Sequence, residues 1–339
     1  MPRERVLITG TAGFIGFHLA RLLLDEGYAV HGFDGLTDYY DVSLKTRRHG
    51  ILLQNPTFSA TEAMLEDREA LDHAVDGFGP DVIVHLAGQA GVRYSLEAPA
   101  SYIDSNVVGT FNVMEAARRV GVRHLMMAST SSVYGANESL PFRETDQADR
   151  PLTIYAATKK ANEAMGHAYA HLWSLPTTLF RFFTVYGPWG RPDMALFSFT
   201  RAILEGRPID IYNNGQMARD FTYVDDLVHG IRLLMDAAPE RPASPEEIAE
   251  VDSLSPIAPF RIVNIGNSDK IALLDFIEAI EDALGQDAKR NYLPAQKGEV
   301  LETWADTTLL QKLTGYRPKT GYRDGVARFV AWYRDHYDV

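Results

Sequence analysis

The sequence predicts an α/β fold, a doubly wound parallel sheet with a smaller C-terminal α/β lobe. Three observations point there. Short apolar runs alternate with helical patterns through the first half of the chain, as parallel strands covered on both faces require. A glycine-rich turn joins the first run to an amphipathic helix. Beyond about residue 184 the alternation gives way to separated helix patterns.

The elements follow in order. Arg5-Val6-Leu7-Ile8-Thr9 reads as a buried strand, and "GTAGFIG" follows with Gly10, Gly13 and Gly16. Phe14, Ile15, Leu19, Leu22 and Leu23 then recur at helical spacing. Glycines in that context let a backbone approach a pyrophosphate, while the helix N-terminus offers amide donors and a positive dipole. A second strand, Ala29 to Phe33, ends at Asp34, about 20 residues downstream, where an acid can accept from a ribose 2′-hydroxyl and repel a 2′-phosphate. The pattern therefore favours NAD over NADP, and a Rossmann domain. A helix over 67–76 precedes a strand over 82–86, and a long helix over 99–119 precedes a strand over 124–128. A helix holding Tyr155 precedes a strand over 177–182. Further helix patterns lie near 194–205, 225–236, 272–284 and 322–334, interrupted by the Pro- and Glu-rich stretch 238–259, read as a surface excursion. The expected division is a Rossmann domain over 1–183 carrying the reactive pair, and a mainly substrate-binding lobe over 184–339, with room for the chain to cross between them.

Composition bounds the function. The 339 residues are 46% hydrophobic and 23% charged, enough for a full globular core. A net charge of −12 argues against nucleic acid and leaves an anionic substrate to local arginines and helix N-termini. With no cysteine there is no disulfide, thiolate metal site or Cys nucleophile, and no metal site is expected. No apolar run approaches membrane-spanning length, and the first strand starts within a few residues of Met1, so a cytoplasmic protein with no membrane partner is expected.

Ligands of such sheets sit beyond the C-terminal strand ends. That edge carries Gly10, Asp34, "AGQAGVR" (87–93), "STSS" (129–132) and "FTVYG" (183–187). Tyr155 and Lys159 lie one helical turn apart on one face. A lysine there, with a positive nicotinamide, would favour the phenolate and make Tyr155 an acid–base group. Alone, such a pair is more often a half-buried tyrosine and a solvated lysine. Its place after a nucleotide-binding half and a hydroxyl-rich strand end reverses those odds.

Together, the glycines with Asp34, "STSSVYG" and Tyr155/Lys159 resemble the extended short-chain dehydrogenase/reductase family. "AGVRYSLEAPASYIDSN" (90–106), "RFFTVYGPWGRPDMA" (181–195) and "NNGQMARDFTYVDD" (213–226) are most similar to its UDP-glucuronate 4-epimerases. The resemblance spans nearly the whole chain and implies bound NAD, a UDP-hexuronic acid substrate and a homodimer joined by helices near 99–119 and 155–172. It implies Tyr155 as acid–base, Lys159 as its tuner and ribose ligand, and Thr130 as the hydroxyl bridging Tyr155 to the sugar 4-hydroxyl. Cofactor contacts would come from Gly10, Gly13, Phe14, Ile15, Gly16, Asp34, Leu65, Leu86, Ala87, Gln89, Asn106, Ser129, Tyr155, Lys159 and Phe182. Substrate contacts would come from Arg93, Thr130, Ser131, Ser132, Thr184, Arg191, Tyr212 and Arg219.

Three departures stand out. Met64 occupies the place of the usual adenine-pocket Asp, with Asp67 or backbone groups as replacements. Gln296 and Lys297-Gly298-Glu299 replace Arg and Pro-Gly-Asp, and Gly88 replaces an Ala. The related decarboxylases resemble "TSEVYG" and the dehydratases "TDEVYG" where this chain has Thr130-Ser131-Ser132, without an acid. A 4-keto hexuronate is a β-keto acid that readily loses CO₂. Neutral hydroxyls from Thr130, Ser131, Ser132 and Thr184 could hold its carboxylate in the carbonyl plane, where a Glu would repel it. The alternatives are a UDP-glucose 4-epimerase, a UDP-glucuronate decarboxylase, or a non-catalytic NAD-binding subunit.

Overall fold

The computed structural model describes residues 4–295 and 301–339, so the departures at 296–299 lie outside the described residues. Seven parallel strands form the central sheet: β1 (Arg5–Thr9), β2 (Ala29–Asp34), β3 (Phe58–Glu62), β4 (Val82–His85), β5 (His124–Thr130), β6 (Thr177–Phe182) and β7 (Phe260–Ile265). Their order is β7-β6-β5-β4-β1-β2-β3. The order reverses between β1 and β4, where Val6 pairs with both Val30 and Val82, and this switch point opens the ligand cleft. Val6, Ile8, Val82, Val84 and Met126 face one buried layer, and Leu7, Ile83, Leu125 and Met127 the other. That two-sided burial is why these strands read as continuous apolar runs.

Helices α1 (Phe14–Asp25), α2 (Val42–Leu52), α3 (Arg68–Phe78), α4 (Thr110–Val120) and α5 (Ile154–Trp173) cover the sheet. Four details differ from expectation. The strand expected to reach Leu86 ends at His85, and β5 runs on through Ser129 and Thr130, which pair with Arg181 and Phe182 of β6. The helix expected over 99–119 is a composite, with a π-helical turn over Ile103–Gly109 between Pro99–Tyr102 and α4. The pair α2 and β3 was not anticipated, because α2 buries Lys45 and Arg48 between Leu44 and Leu52, a face too polar to read as an apolar stripe. Finally, after the 238–259 excursion the chain returns to add β7 beside β6.

The lobe over the cleft is built by α6 (Ala195–Leu204), α8 (Leu273–Leu284) and α10 (Tyr322–Tyr337), while α7 (Val224–Leu234) packs back on α1 and α9 (Thr308–Thr314) packs on α7 and β7. Phe221 stacks on Phe276 at 3.8 Å, and Tyr186, Phe197 and Phe329 complete this second core. Strand Thr184–Tyr186 leaves β6 and pairs with Phe221–Tyr223, so the lobe is anchored directly at the cleft edge.

Candidate active site

The glycine turn is built so tightly that side chains cannot enter it. Gly10 has φ +84°, and a Cβ there would lie 2.9 Å from Ala87 N; one on Gly16 would lie 2.1 Å from Gly10 O. Gly13 caps α1 without any side-chain bond, which leaves the first-turn amides of α1 for an anion. Asp34 accepts from Ala12 N at 2.8 Å and Leu36 N at 2.9 Å, one bond to each oxygen. A carboxylate offers about four lone-pair sites, so both oxygens can still accept from ribose hydroxyls. These residues fit NAD. Phe14 is buried and Ile15 half-buried at the same turn.

The adenine side is apolar. Leu65 is buried against Gly109, and the Met64 sulfur packs over Gly35. Asp67, the expected replacement for the missing acid, caps α3 by accepting from Ala70 N at 3.0 Å. Leu86 N and Ala87 N both donate to Thr9 Oγ1, which bonds His85 Nδ1 at 2.7 Å, so the backbone beside Gly10 is pinned.

Two expected cofactor contacts, Asn106 and Ser129, also hold parts of the protein together. Asn106, fully buried in the π-helical turn, accepts from Gln89 N at 2.8 Å and donates to Gln89 O and Thr158 Oγ1. Its amide clasps the loop after β4. Ser129 donates to Glu163 Oε1 at 2.7 Å, and Glu163 pairs with buried Arg181 at 2.9 Å, so that hydroxyl fastens α5 to the sheet. Phe182, at the end of β6, is buried against Phe180.

Tyr155 sits in the first turn of α5, which Thr153 caps. Its phenol lies near the Thr130 hydroxyl at the tip of β5, which acts on its ionisation. Burial pushes this phenol up, against the opposing effects of the Thr130 hydroxyl and the Arg191 charge. Lys159, expected to favour the phenolate together with a positive nicotinamide, lies one helical turn away on α5. Lys159 Nζ donates to Ala128 O at 3.1 Å, and burial lowers its pKa to about 8. Thr130 also caps the turn over Ser131–Tyr134, accepting from Ser132 N at 3.2 Å and lying 3.3 Å from Ser132 Oγ. Ser131 and Ser132 are half-buried, and among the described residues no carboxylate bonds to Thr130, Ser131 or Ser132.

The far wall comes from the lobe. Thr184 begins the strand leaving β6, with its amide bonded to Asp220 O. Arg191 makes a two-pronged bond to Asp193, Nε to Oδ1 at 3.0 Å and Nη2 to Oδ2 at 2.6 Å. Tyr39 Oη joins the same carboxylate at 3.1 Å. Arg93 lies 4.7 Å over the Tyr212 ring, a cation–π contact between the β4 loop and the lobe. Arg219 donates to Ala218 O and Leu301 O, while the adjacent Asp220 is buried and accepts from three backbone amides. Thus Tyr155, Lys159, Thr130, Ser131 and Ser132 converge at one strand edge, and the lobe supplies the arginines. Tyr39, Arg48 and Asp193 were missed; the polar, aromatic stretch "DYYDVSLKTRR" (38–48) was the available signal.

The comparisons with known proteins agree with this geometry. Residues 6–248 match the profile described as the NAD dependent epimerase/dehydratase family. The chain belongs to that family. It is 58% identical to a protein named probable UDP-glucuronate 4-epimerase from Rhizobium meliloti (strain 1021), over 98% of each chain. It is 42% identical to UDP-glucuronate 4-epimerase 1 of Arabidopsis thaliana, over 98% of this chain and 77% of the relative. Among solved structures, UDP-glucuronic acid 4-epimerase from Bacillus cereus, in complex with UDP-glucuronic acid and NAD, superposes with a TM-score of 0.87 at 31% identity. It covers 98% of this chain and 100% of its own. A UDP-glucose 4-epimerase from Thermotoga maritima, with UDP-glucose, reaches 0.85 at 27% identity, covering 98% and 99%.

Proposed function

We propose that this family member is a UDP-glucuronate 4-epimerase that interconverts UDP-glucuronate and UDP-galacturonate. The observation that carries this reading is the neutral hydroxyl tip of β5, where Thr130, Ser131 and Ser132 gather without an acid near the Tyr155 phenol. The 58% identity to a UDP-glucuronate 4-epimerase supports it, as does the Bacillus cereus complex. The glycine turn, the α1 N-terminus and Asp34 hold NAD, which supplies a hydride acceptor that gives the hydride back, so there is no net oxidation.

The chain's own residues do the rest. Tyr155, as phenolate, takes the proton of the sugar 4-hydroxyl, with Thr130 bridging the two oxygens. Lys159, buried and held at Ala128 O, adds positive charge behind the reacting face. The 4-keto hexuronate turns about its diphosphate linkage while Arg191 and Arg219 hold the phosphates by charge-assisted bonds. Tyr155 then returns the proton on the opposite face. Ser131, Ser132 and Thr184 hold the carboxylate near the carbonyl plane, where its C–C bond is poorly aligned to break. The catalytic and cofactor roles fall to the Rossmann part, and nucleotide-sugar binding mainly to the 184–339 lobe, from which β7 crosses back.

Exposed Ile103, Val108, Phe111, Leu172 and Trp173 lie on the two helices expected at a homodimer interface, and this surface supports that assembly. Among the described residues no helix is long and apolar enough to cross a membrane, in keeping with action in the cytoplasm. Incubating the purified protein with UDP-glucuronate, without added NAD, tests the reading. UDP-galacturonate without CO₂ release is expected; UDP-pentose would indicate the decarboxylase, and turnover of UDP-glucose alone the neutral-sugar epimerase.

A further inference from the structure

Arg48, on α2, is fully buried. Among the described residues no carboxylate pairs with it. Instead Nη1 donates to Ala12 O at 2.9 Å and to Tyr40 Oη at 2.8 Å, while Nη2 donates to Trp189 O and Gly190 O. Its Nε is buried without a partner. A dry guanidinium without a counter-charge is expensive and persists only where something compensates it. Ala12 belongs to the glycine turn, and Gly190 immediately precedes Arg191. One cation therefore spans the cofactor turn and the substrate-arginine loop.

Two more contacts tie the same segments. Tyr39, beside Tyr40, bonds Asp193, the carboxylate that holds Arg191. Its hydroxyl also packs against Gly91 so closely that a Cβ there would lie 2.4 Å away, two residues before Arg93. Trp189 adopts φ +59°, a left-handed conformation that costs a bulky residue energy and needs outside support. Arg48 supplies it at the carbonyl, and Phe17 of α1, Trp332 and His336 supply it at the ring.

We propose that Arg48 is a positioning residue that couples the two sites. An anionic diphosphate at the glycine turn provides the charge Arg48 lacks and firms its grip on Trp189 O and Gly190 O. That grip sets the reach of Arg191 toward the substrate diphosphate. This rests on the NAD and nucleotide-sugar assignment made above.

The test measures coupling rather than turnover. UDP, which carries no hexose, is titrated against full-length enzyme stripped of NAD and against the NAD-saturated form. In the wild type, NAD should tighten UDP about tenfold, within the usual range of site–site coupling, and UDP should tighten NAD equally. Arg48→Lys keeps the charge but loses the fork, and should reduce coupling below about twofold, with a thermal melt confirming that the variant remains folded at the titration temperature. Arg48→Met should also weaken NAD about tenfold or more. Wild-type binding without coupling, or full coupling in Arg48→Lys, would overturn the proposal; either readout decides even if Arg48→Met does not fold. Failure to convert UDP-glucuronate alongside intact NAD–UDP coupling would sink the substrate assignment alone.

Discussion

Two edges of the same cleft were built by different means. The β5–α5 edge, with Thr130, Tyr155 and Lys159, is made by regular elements: a strand tip and one helical turn fix the positions. The opposite edge, with Arg191, Asp193, Tyr39 and Arg48, is made by loops and a polar helix tied together by buried arginines. Where periodic elements place a group, sequence spacing reports its geometry. Where arginine-to-carbonyl bonds between distant segments place it, spacing reports nothing.

The largest expected effect lies on the regular edge. Tyr155→Phe removes the proton shuttle and should lower kcat by about 10³-fold, in the range for general acid–base groups, with little change in UDP-glucuronate affinity. Steady-state kinetics and a binding titration check it. A variant that loses affinity and rate equally would make Tyr155 a binding residue and erase the contrast between the edges.

Next comes a change of product. Ser132→Glu places a carboxylate in the hydroxyl tip, where it should repel the substrate carboxylate and unseat it from its planar hold. CO₂ release per turnover should rise at least about tenfold as epimerisation slows, about 1.4 kcal/mol in partitioning. Unchanged partitioning, read by mass-resolved chromatography of UDP-pentose against UDP-galacturonate, would show that Ser132 lies too far from the carboxylate to steer it.

On the loop edge, Asp193→Asn should act on binding. Arg191 loses its two-pronged ionic partner and Tyr39 loses its acceptor charge, so Arg191 samples more rotamers. KM for UDP-glucuronate should rise about fivefold with kcat nearly unchanged, since the arginine touches the diphosphate in ground and transition states alike. A fall in kcat without a KM change would instead place the Arg191 charge, which opposes the burial of Tyr155, within the chemistry.

How much was legible follows the same divide. Gly10 and Asp34 announced the cofactor cradle because their constraints are local: a positive φ beside Ala87, and an acid at a strand end. The β5 tip was read two residues short because Ser129 and Thr130 look like loop residues, although Arg181 and Phe182 pair with them. The protein partners of Ser129 and Asn106, Glu163 and Gln89, are 34 and 17 residues away, and spacing did not reveal those bonds. Helix α2 escaped because two of its four buried positions are Lys45 and Arg48, polar letters that periodicity assigns to solvent, which leaves only Leu44 and Leu52 to mark the buried face.

The smallest expected effect on turnover tests the buried polar layer behind the hydroxyl tip. Glu144 accepts from Asn264 N at 2.8 Å, and burial raises its pKa to about 8, with Asp306 adding to the rise and Arg181 opposing it. The folded protein therefore holds a proton that the unfolded chain releases near pH 4.5. Between these values the native state binds more protons, so this group's contribution to stability falls as pH rises, by at most about 1.36 kcal/mol per unit. Glu144→Gln keeps an acceptor for Asn264 N and removes the titration. The variant should match the wild type near pH 4.5 and become more stable than it by up to about 3 kcal/mol by pH 7, with turnover within about twofold. Urea unfolding at several pH values measures the gap. A gap that narrows toward neutral pH would mean that Arg181 holds Glu144 ionised, making the layer behind β5 an ionic network like the Arg191 edge.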